Sequence, residues 1–594
     1  MHQSGILNGY IGTRLIIFFF LVFSVSSVAG QEPVRVVVQG LEGDEAARDN
    51  VLAALTPPEA MVQDGRVNTL WLERFRDQGE ERAHRALQPF GYYNAVVDVS
   101  VEQPAENSYI LRIVIRPGKR VELTEVNVNL TGPGARERDL RDLVSAFPLR
   151  RGDPLLHERY EEAKAALNSK AVELGYIDAS FAVHEIRVLR AESRAGIFLT
   201  LDTGPKYLFG RTEFEETEPY PESFLRRYIT YEQGDTFSYA RLGETQINLI
   251  NSERFNEVII TPEKEKVSDL RVPVQIRLTP APTRRLRLGL GYGTDTGARF
   301  SVRYRDLNML GRGHELSSEI DLSERLQGLG ASYKIPARKN VDSFTEIKLN
   351  YRIEDVDPYT NRLTAFEVNR TRSFGRGRSA AAYLRVQHER FSIGDQDTST
   401  FIVLPGIRFA DFRYSDAVRP ERGYRYSVDL RGTHQILGSD TGLVQLVADG
   451  GNILPLPGGF LLLTRLRAGF TLQNEPLDAV PVSLRFFAGG DRSVRGYAYQ
   501  SLGPEDDSGN VTGGKHILVG SIELERPVTG NWGAAVFYDA GNAFNSFSGI
   551  RVFQGAGIGV RYYSRVGAIK VDIARQIGVD NPGFRLHFTV GAEF

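Results

Sequence analysis

The residues that could do chemistry are few, and their spacing does not suit it. His314-Glu315 begins like a zinc-binding helix, but no second histidine follows at the spacing that would put two imidazoles on one face. Gly555, Gly557 and Gly559 fall in an alternating, strand-like segment with no helix behind them, which is not the layout of a phosphate-binding loop. No serine follows a strand and precedes a helix as a nucleophile elbow requires. With 9 histidines and no cysteine, metal chemistry has few candidate ligands. The missing cysteine also excludes a disulfide scaffold, and it is compatible with an oxidising compartment. Acidic pairs such as Asp506-Asp507 are expected to be solvated loop residues. The 72 basic and 74 acidic residues nearly cancel, so the basic excess of a nucleic-acid binder is absent. The expectation is a chain with no catalytic residue, no cofactor and no metal.

What positions the remaining residues is read from the elements. At 594 residues the chain should hold several domains. Arg14 precedes an apolar run at 15–23, and small residues follow at 24–30. This is the layout of a signal peptide, with cleavage expected after Ala29. No later apolar stretch approaches the roughly 18 residues of a spanning helix, whereas barrel strands would not show in such a search. From about Pro33 to Pro280 short strands mix with helices at an interval of roughly 75–90 residues. Helical stretches at 82–93, 161–176 and 243–255 each stop near an aromatic. Gly91 and Gly175 suit a left-handed helix cap, and the third copy lacks that glycine. The pairs Gly152-Asp153 and Gly234-Asp235 suggest equivalent turns in the second and third copies. The expected order is a signal peptide (1–29), three α+β repeats (30–118, 119–204 and 205–280) and a barrel (283–594).

The barrel is expected because helical patterns vanish after about Thr283. In the last segment Phe584, Leu586, Phe588 and Val590 share one face, while Arg585, His587, Thr589 and Gly591 share the other. Leu286, Leu288, Leu290 and Tyr292 oppose Arg285, Arg287, Gly289 and Gly291 in the same way. A soluble sandwich would alternate too, but about 310 residues without a helix suit a transmembrane barrel of about 14–18 antiparallel strands, 16 being the expectation.

Two segments carry a resemblance. One runs from Phe486 to Tyr497 and ends in Val494-Arg495-Gly496-Tyr497; the other is Phe537-Tyr-Asp539-Ala-Gly541-Asn542. With the signal peptide, the repeats and the terminal Phe594, they resemble the superfamily of POTRA-plus-barrel outer-membrane assembly factors. That superfamily includes BamA, TamA and the two-partner secretion pores. The resemblance implies that Val494 to Tyr497 mark a loop folded into the barrel and that Arg495 meets acidic groups on the wall. Asp539 is the matching position, in a motif with Phe537 and Gly541, and Glu523 and Glu525 are further candidates. A guanidinium fork suits carboxylates, so such a pair could pin a loop as a structural lock. Three repeats look most like the TamA branch, since BamA resembles five and the secretion pores two. That branch implies a TamB-like partner anchored in the inner membrane, and clients that are unfolded outer-membrane proteins and autotransporters. It also implies a weak seam between the first and last strands, at Leu288, Gly289, Gly291, Gly293, Phe588, Gly591 and Phe594. A BamA-like insertase, a dedicated secretion pore and a passive channel are the alternatives.

Overall fold

The structure, a computed structural model, describes residues 33–63, 66–215, 217–338, 340–416, 419–548, 550–564 and 567–591. The expected signal peptide and Phe594 lie outside the described residues. Two compact units divide the chain, one ending at Tyr207 and one beginning at Leu208.

The first unit contains two copies of one plan, a three-stranded mixed sheet with helices packed against it. Val34–Gln39 runs parallel to Ser108–Arg116, which also pairs with antiparallel Val96–Ala105. Glu122–Thr131, Arg194–Asp202 and Ser180–Leu189 repeat the arrangement. Strand alternation puts Leu111, Ile113 and Ile115 into a core with Leu72, Phe75 and Leu87 of the helix Thr69–Leu87. Ile197, Leu199 and Leu201 do the same against Tyr160 and Leu167 of the helix His157–Glu173.

Each long helix leads into a left-handed glycine, Gly91 (φ 87°) and Gly175 (φ 93°). These glycines also fasten the following linker. The Gly91 carbonyl accepts the Val121 N–H at 2.9 Å, and the Gly175 carbonyl accepts the Tyr207 N–H at 2.9 Å. The next residue is a tyrosine in both copies. The Tyr92 hydroxyl donates to Asp44 (3.2 Å), and Arg120 both covers its ring and pairs with Asp44. The Tyr176 hydroxyl donates to Glu137 (3.0 Å), and Lys206 covers its ring and pairs with Glu137 at 2.9 Å. Burial and the bond to Glu137 push the Tyr176 phenol up to about 12. The hydrogen bonds from Lys206 and Tyr176 hold the Glu137 carboxyl below its ordinary range.

The second unit opens with the third repeat, its sheet ordered Phe255–Pro262, Arg271–Pro280 and Leu208–Glu215. Gly152 and Gly234 occupy equivalent left-handed turns, each donating its N–H to a strand carbonyl. The slot after the helix differs. Glu253 takes the left-handed position (φ 58°), and Arg254 stands where the tyrosines stood. Lining the repeats up on Phe255 therefore places the slot one residue too late. Arg254 turns outward and donates to the Leu307 and Gly313 carbonyls at 2.8 and 3.0 Å, at a barrel turn. Arg227 donates to Ala337 and Val341 carbonyls at 3.0 and 2.8 Å, at another turn. Glu253 pairs with Arg285 and Arg305.

Sixteen strands, Arg284–Gly293 through Phe584–Gly591, form a closed barrel in which sequence neighbours pair antiparallel. Leu288, Leu329, Leu349, Ile407 and Ile558 are exposed on its outside, while Glu367, Gln387 and Glu389 are buried within. Apolar outside and polar inside is stable where the surroundings are hydrocarbon, and pairing of each strand with its sequence neighbours satisfies the backbone everywhere but along the join of first and last strands. No helix among the described residues is long and apolar enough to cross a membrane.

The Glu137 clasp carries a pH dependence. A carboxyl whose folded pKa lies below its unfolded value adds stability above about pH 4.3 and loses it as the pH falls through the folded value. In the intact chain, hydrogen exchange at the Tyr207 amide, corrected for intrinsic rates, should accelerate below about pH 4. Glu137→Gln should remove that pH dependence and raise exchange at neutral pH.

Candidate functional site

Between the strands Phe460–Gln473 and His516–Thr529, residues 474–515 turn back into the barrel. Bridges from Phe486 to Gly514 and from Ala488 to Leu502 make this loop a body with its own core. Val494 is fully buried there with Phe486, Leu502, Ile517 and Val519, and the Tyr497 ring meets Phe553 edge-on. Gly496 makes the turn with φ 98°, which a side chain would resist. Its N–H donates to His587 Nε2 at 2.9 Å, and its carbonyl accepts from Gln576.

This turn delivers Arg495, 3 % exposed, to the wall. Its Nε and Nη2 donate to the two oxygens of Asp539 at 2.7 and 2.9 Å. Nη1 donates to Glu523 (2.7 Å) and Asp572 (3.1 Å). The guanidinium carbon lies 3.4 Å from the centre of the Phe537 ring. A second guanidinium completes the cluster. Arg561, fully buried, donates to Glu523 at 2.6 Å and Asp572 at 2.5 Å. Glu525 accepts from Tyr563 and lies beside Arg561, so it belongs to the cluster's rim and does not touch Arg495. Arg495 thus forks onto Asp539 and both cations share Glu523 and Asp572, an arrangement that can hold a loop against a wall.

The glycines set aside as a phosphate loop make this packing possible. They lie on one face of the strand Phe553–Ser564. A Cβ on Gly555 would stand 1.9 Å from the Arg495 carbonyl oxygen. On Gly557 it would stand 2.5 Å from the Phe537 ring, and on Gly559 1.8 Å from Asp572. Gly541, in the Phe537 motif, has the Leu518 carbonyl at 2.3 Å from the same position. The loop is anchored on another wall too. Fully buried Glu389 accepts the Ser483 N–H and hydroxyl, while Arg485 braces the loop internally by donating to its Val480 and Thr512 carbonyls. Sequence reasoning missed Arg561, Asp572, His587 and Glu389. Their only signal is a charge or imidazole on the inward face of an alternating strand.

With this geometry, comparison with known proteins is informative. Residues 308–594 match the Omp85 superfamily domain, and residues 35–117 match the first POTRA domain of TamA. The chain is 22 % identical over 507 residues to the outer membrane protein assembly factor BamA of Nitratidesulfovibrio vulgaris, a match covering 79 % of this chain and 61 % of that protein. It is also 22 % identical over 525 residues to BamA of Neorickettsia risticii, covering 82 % and 68 %. The chain thus spans about three fifths of the first of these relatives. The solved BamA of Haemophilus ducreyi lacking POTRA domains 1–3 shares the fold, with a TM-score of 0.65 at 17 % identity over 80 % of this chain and all of that one. The barrel therefore belongs in the outer membrane of a Gram-negative bacterium, with the POTRA domains in the periplasm.

Among the described residues of the barrel the first and last strands barely meet. Among the described residues Arg284–Gly293 and Phe584–Gly591 pair at one position, Gly293 with Thr589. Beyond it, the Thr294 N–H donates to the Phe588 carbonyl at 3.2 Å, and the Phe588 N–H donates to the Thr294 hydroxyl at 2.7 Å. Leu288, Gly289 and Gly291 lie on the first strand away from that join, with Leu288 69 % exposed. Gly291 has only the Val590 carbonyl near its Cβ position, at 3.7 Å. Gly591, at the end of the described last strand, pairs with Ala568 on the other side.

Crowding the glycine stripe should open the cluster. Gly559→Val puts methyl groups where Asp572 stands and leaves Arg561 short of a partner, at a cost of about 3–5 kcal/mol for a broken buried pair. Semi-native gel electrophoresis should show the folded band lost at a lower temperature. Gly520→Ala, whose nearest atom is 4.0 Å away, should change little.

Proposed function

We propose that this protein is an assembly factor that inserts or translocates other outer-membrane proteins, including autotransporters, and that it is not an enzyme. The single pairing between first and last strands among the described residues carries the reading. A barrel whose purpose were a fixed pore gains nothing from an open join, because an unpaired strand edge in hydrocarbon leaves N–H and C=O groups unsatisfied. An assembly factor uses that edge. A client strand can add to it by backbone hydrogen bonding, with side-chain preferences left loose. The glycines at 289, 291 and 293 keep the edge weakly ordered, since glycine has little to pack and more freedom to lose.

The Arg495 cluster then serves as a lock that keeps the infolded loop and the wall in one state while the join opens. A plain channel is disfavoured because the loop occupies the lumen and is pinned on two walls. The TamA-type first repeat favours the TamA branch, and with it an inner-membrane-anchored partner of the TamB kind reaching the periplasmic repeats. The BamA relatives favour an insertase reading of the barrel, which uses the same edge.

Deleting the gene should lower outer-membrane levels of autotransporters and other barrels. Arg495→Ala and Asp539→Ala should both fail to restore them. Since the chain has no cysteine, Gly293→Cys with Thr589→Cys gives a clean lock of the join, and oxidising that pair should stop client assembly. Normal client levels with altered small-solute uptake would mean a pore.

A further inference from the structure

A second cluster sits at the far end of the join from the third repeat, and no sequence pattern links its members. Asp295 lies in the turn between the first two barrel strands, Asp491 in the infolded loop, and His587 on the last strand. One ligand atom from each lies within 4.8 Å of the other two. Asp295 is 6 % exposed. Its Oδ2 accepts the Asp491 N–H at 2.7 Å, while its Oδ1 is buried with no hydrogen-bond partner. Arg585 is the side-chain cation that faces it, yet the Arg585 Nε is itself unpartnered.

The imidazole does not resolve this charge. The Gly496 N–H donates to His587 Nε2, so Nδ1 carries the ring proton and donates it to Asp491. The histidine is then neutral and orients Asp491. Two carboxylates remain, one with a bare buried oxygen, and burying such an oxygen uncompensated is costly. Histidine Nδ1 is not free to ligate, so the donor set is oxygen only, the set that hard divalent cations prefer and softer metals do not.

We propose that Asp295 and Asp491 hold a divalent cation of the Mg2+ or Ca2+ class, with water completing its shell and His587 as the positioning residue for Asp491. The cation ties the first hairpin to the infolded loop, and His587 carries the tie to the last strand. It closes the join at the end where, among the described residues, Gly293–Thr589 and the Thr294–Phe588 bonds hold it, so cation supply sets how readily the join opens.

The test uses the full chain, stripped with chelator and reconstituted in vesicles of zwitterionic lipid, titrated calorimetrically with Ca2+, Mg2+ and Zn2+ separately. One saturable site per chain is expected for at least one of them, lost in both Asp295→Asn and Asp491→Asn. His587→Gln should weaken it by about 10-fold, the usual scale for a group supporting a ligand. Cation should also speed oxidation of the Gly293→Cys/Thr589→Cys pair by holding the two positions together, and it should lose that effect when Asp491→Asn is added. No saturable site in the wild type, or undiminished binding in Asp491→Asn, would overturn the proposal. Binding of Zn2+ alone, abolished by His587→Gln, would overturn the oxygen-only assignment. Should Asp295→Asn fail to fold, the wild-type and Asp491→Asn titrations decide by themselves. None of these readouts depends on client assembly, so they separate this site from the proposed function.

Discussion

Two guanidinium groups buried inside a barrel set the terms for much of this molecule. Arg495 and Arg561 are tolerable there because Glu523 and Asp572 bridge them and Asp539 takes the fork of Arg495, and breaking such a set costs far more than forming it gains. The requirement propagates outward. The loop must bring Arg495 in through a left-handed Gly496, and the facing strand must be stripped to glycine at 555, 557 and 559. Glu389 must fix the loop's other side. A loop pinned in this way leaves the join between first and last strands as the place where the barrel can change.

The repeats show how one structural slot is reused. After the left-handed residue, Tyr92 and Tyr176 clasp an acid and a linker cation within the first unit. Arg254 in the same slot reaches barrel carbonyls, and Glu253 keeps the left-handed turn without glycine's freedom while pairing with Arg285 and Arg305. An arginine is suited to this because its fork satisfies two carbonyls that would otherwise be buried without partners. The substitution changes a repeat-to-repeat clasp into a repeat-to-barrel clasp.

Much of this was legible in the sequence where the signal is local. Alternation gave the strands, helix-stopping glycines gave two of the repeats, and Val494 to Tyr497 and Phe537 to Gly541 are contiguous motifs. Arg561, Asp572 and His587 were not legible, because each is one inward residue on its own strand, and only barrel closure brings them to a loop 66 to 92 positions away. The third repeat was misaligned because its slot holds Glu253 and Arg254 in place of glycine and tyrosine. The glycine stripe was visible but unreadable, since what it makes room for arrives from elsewhere in the chain.

The claim on which the rest stands is that Arg495 and Asp539 hold loop and wall together. A double-mutant cycle with Arg495→Gln and Asp539→Asn, read as unfolding free energy in lipid, tests it most directly. The account predicts a coupling of about 1–3 kcal/mol, with the double variant far less destabilised than the two single losses added. Additivity within about 0.5 kcal/mol would contradict it, because the two side chains would then contribute independently.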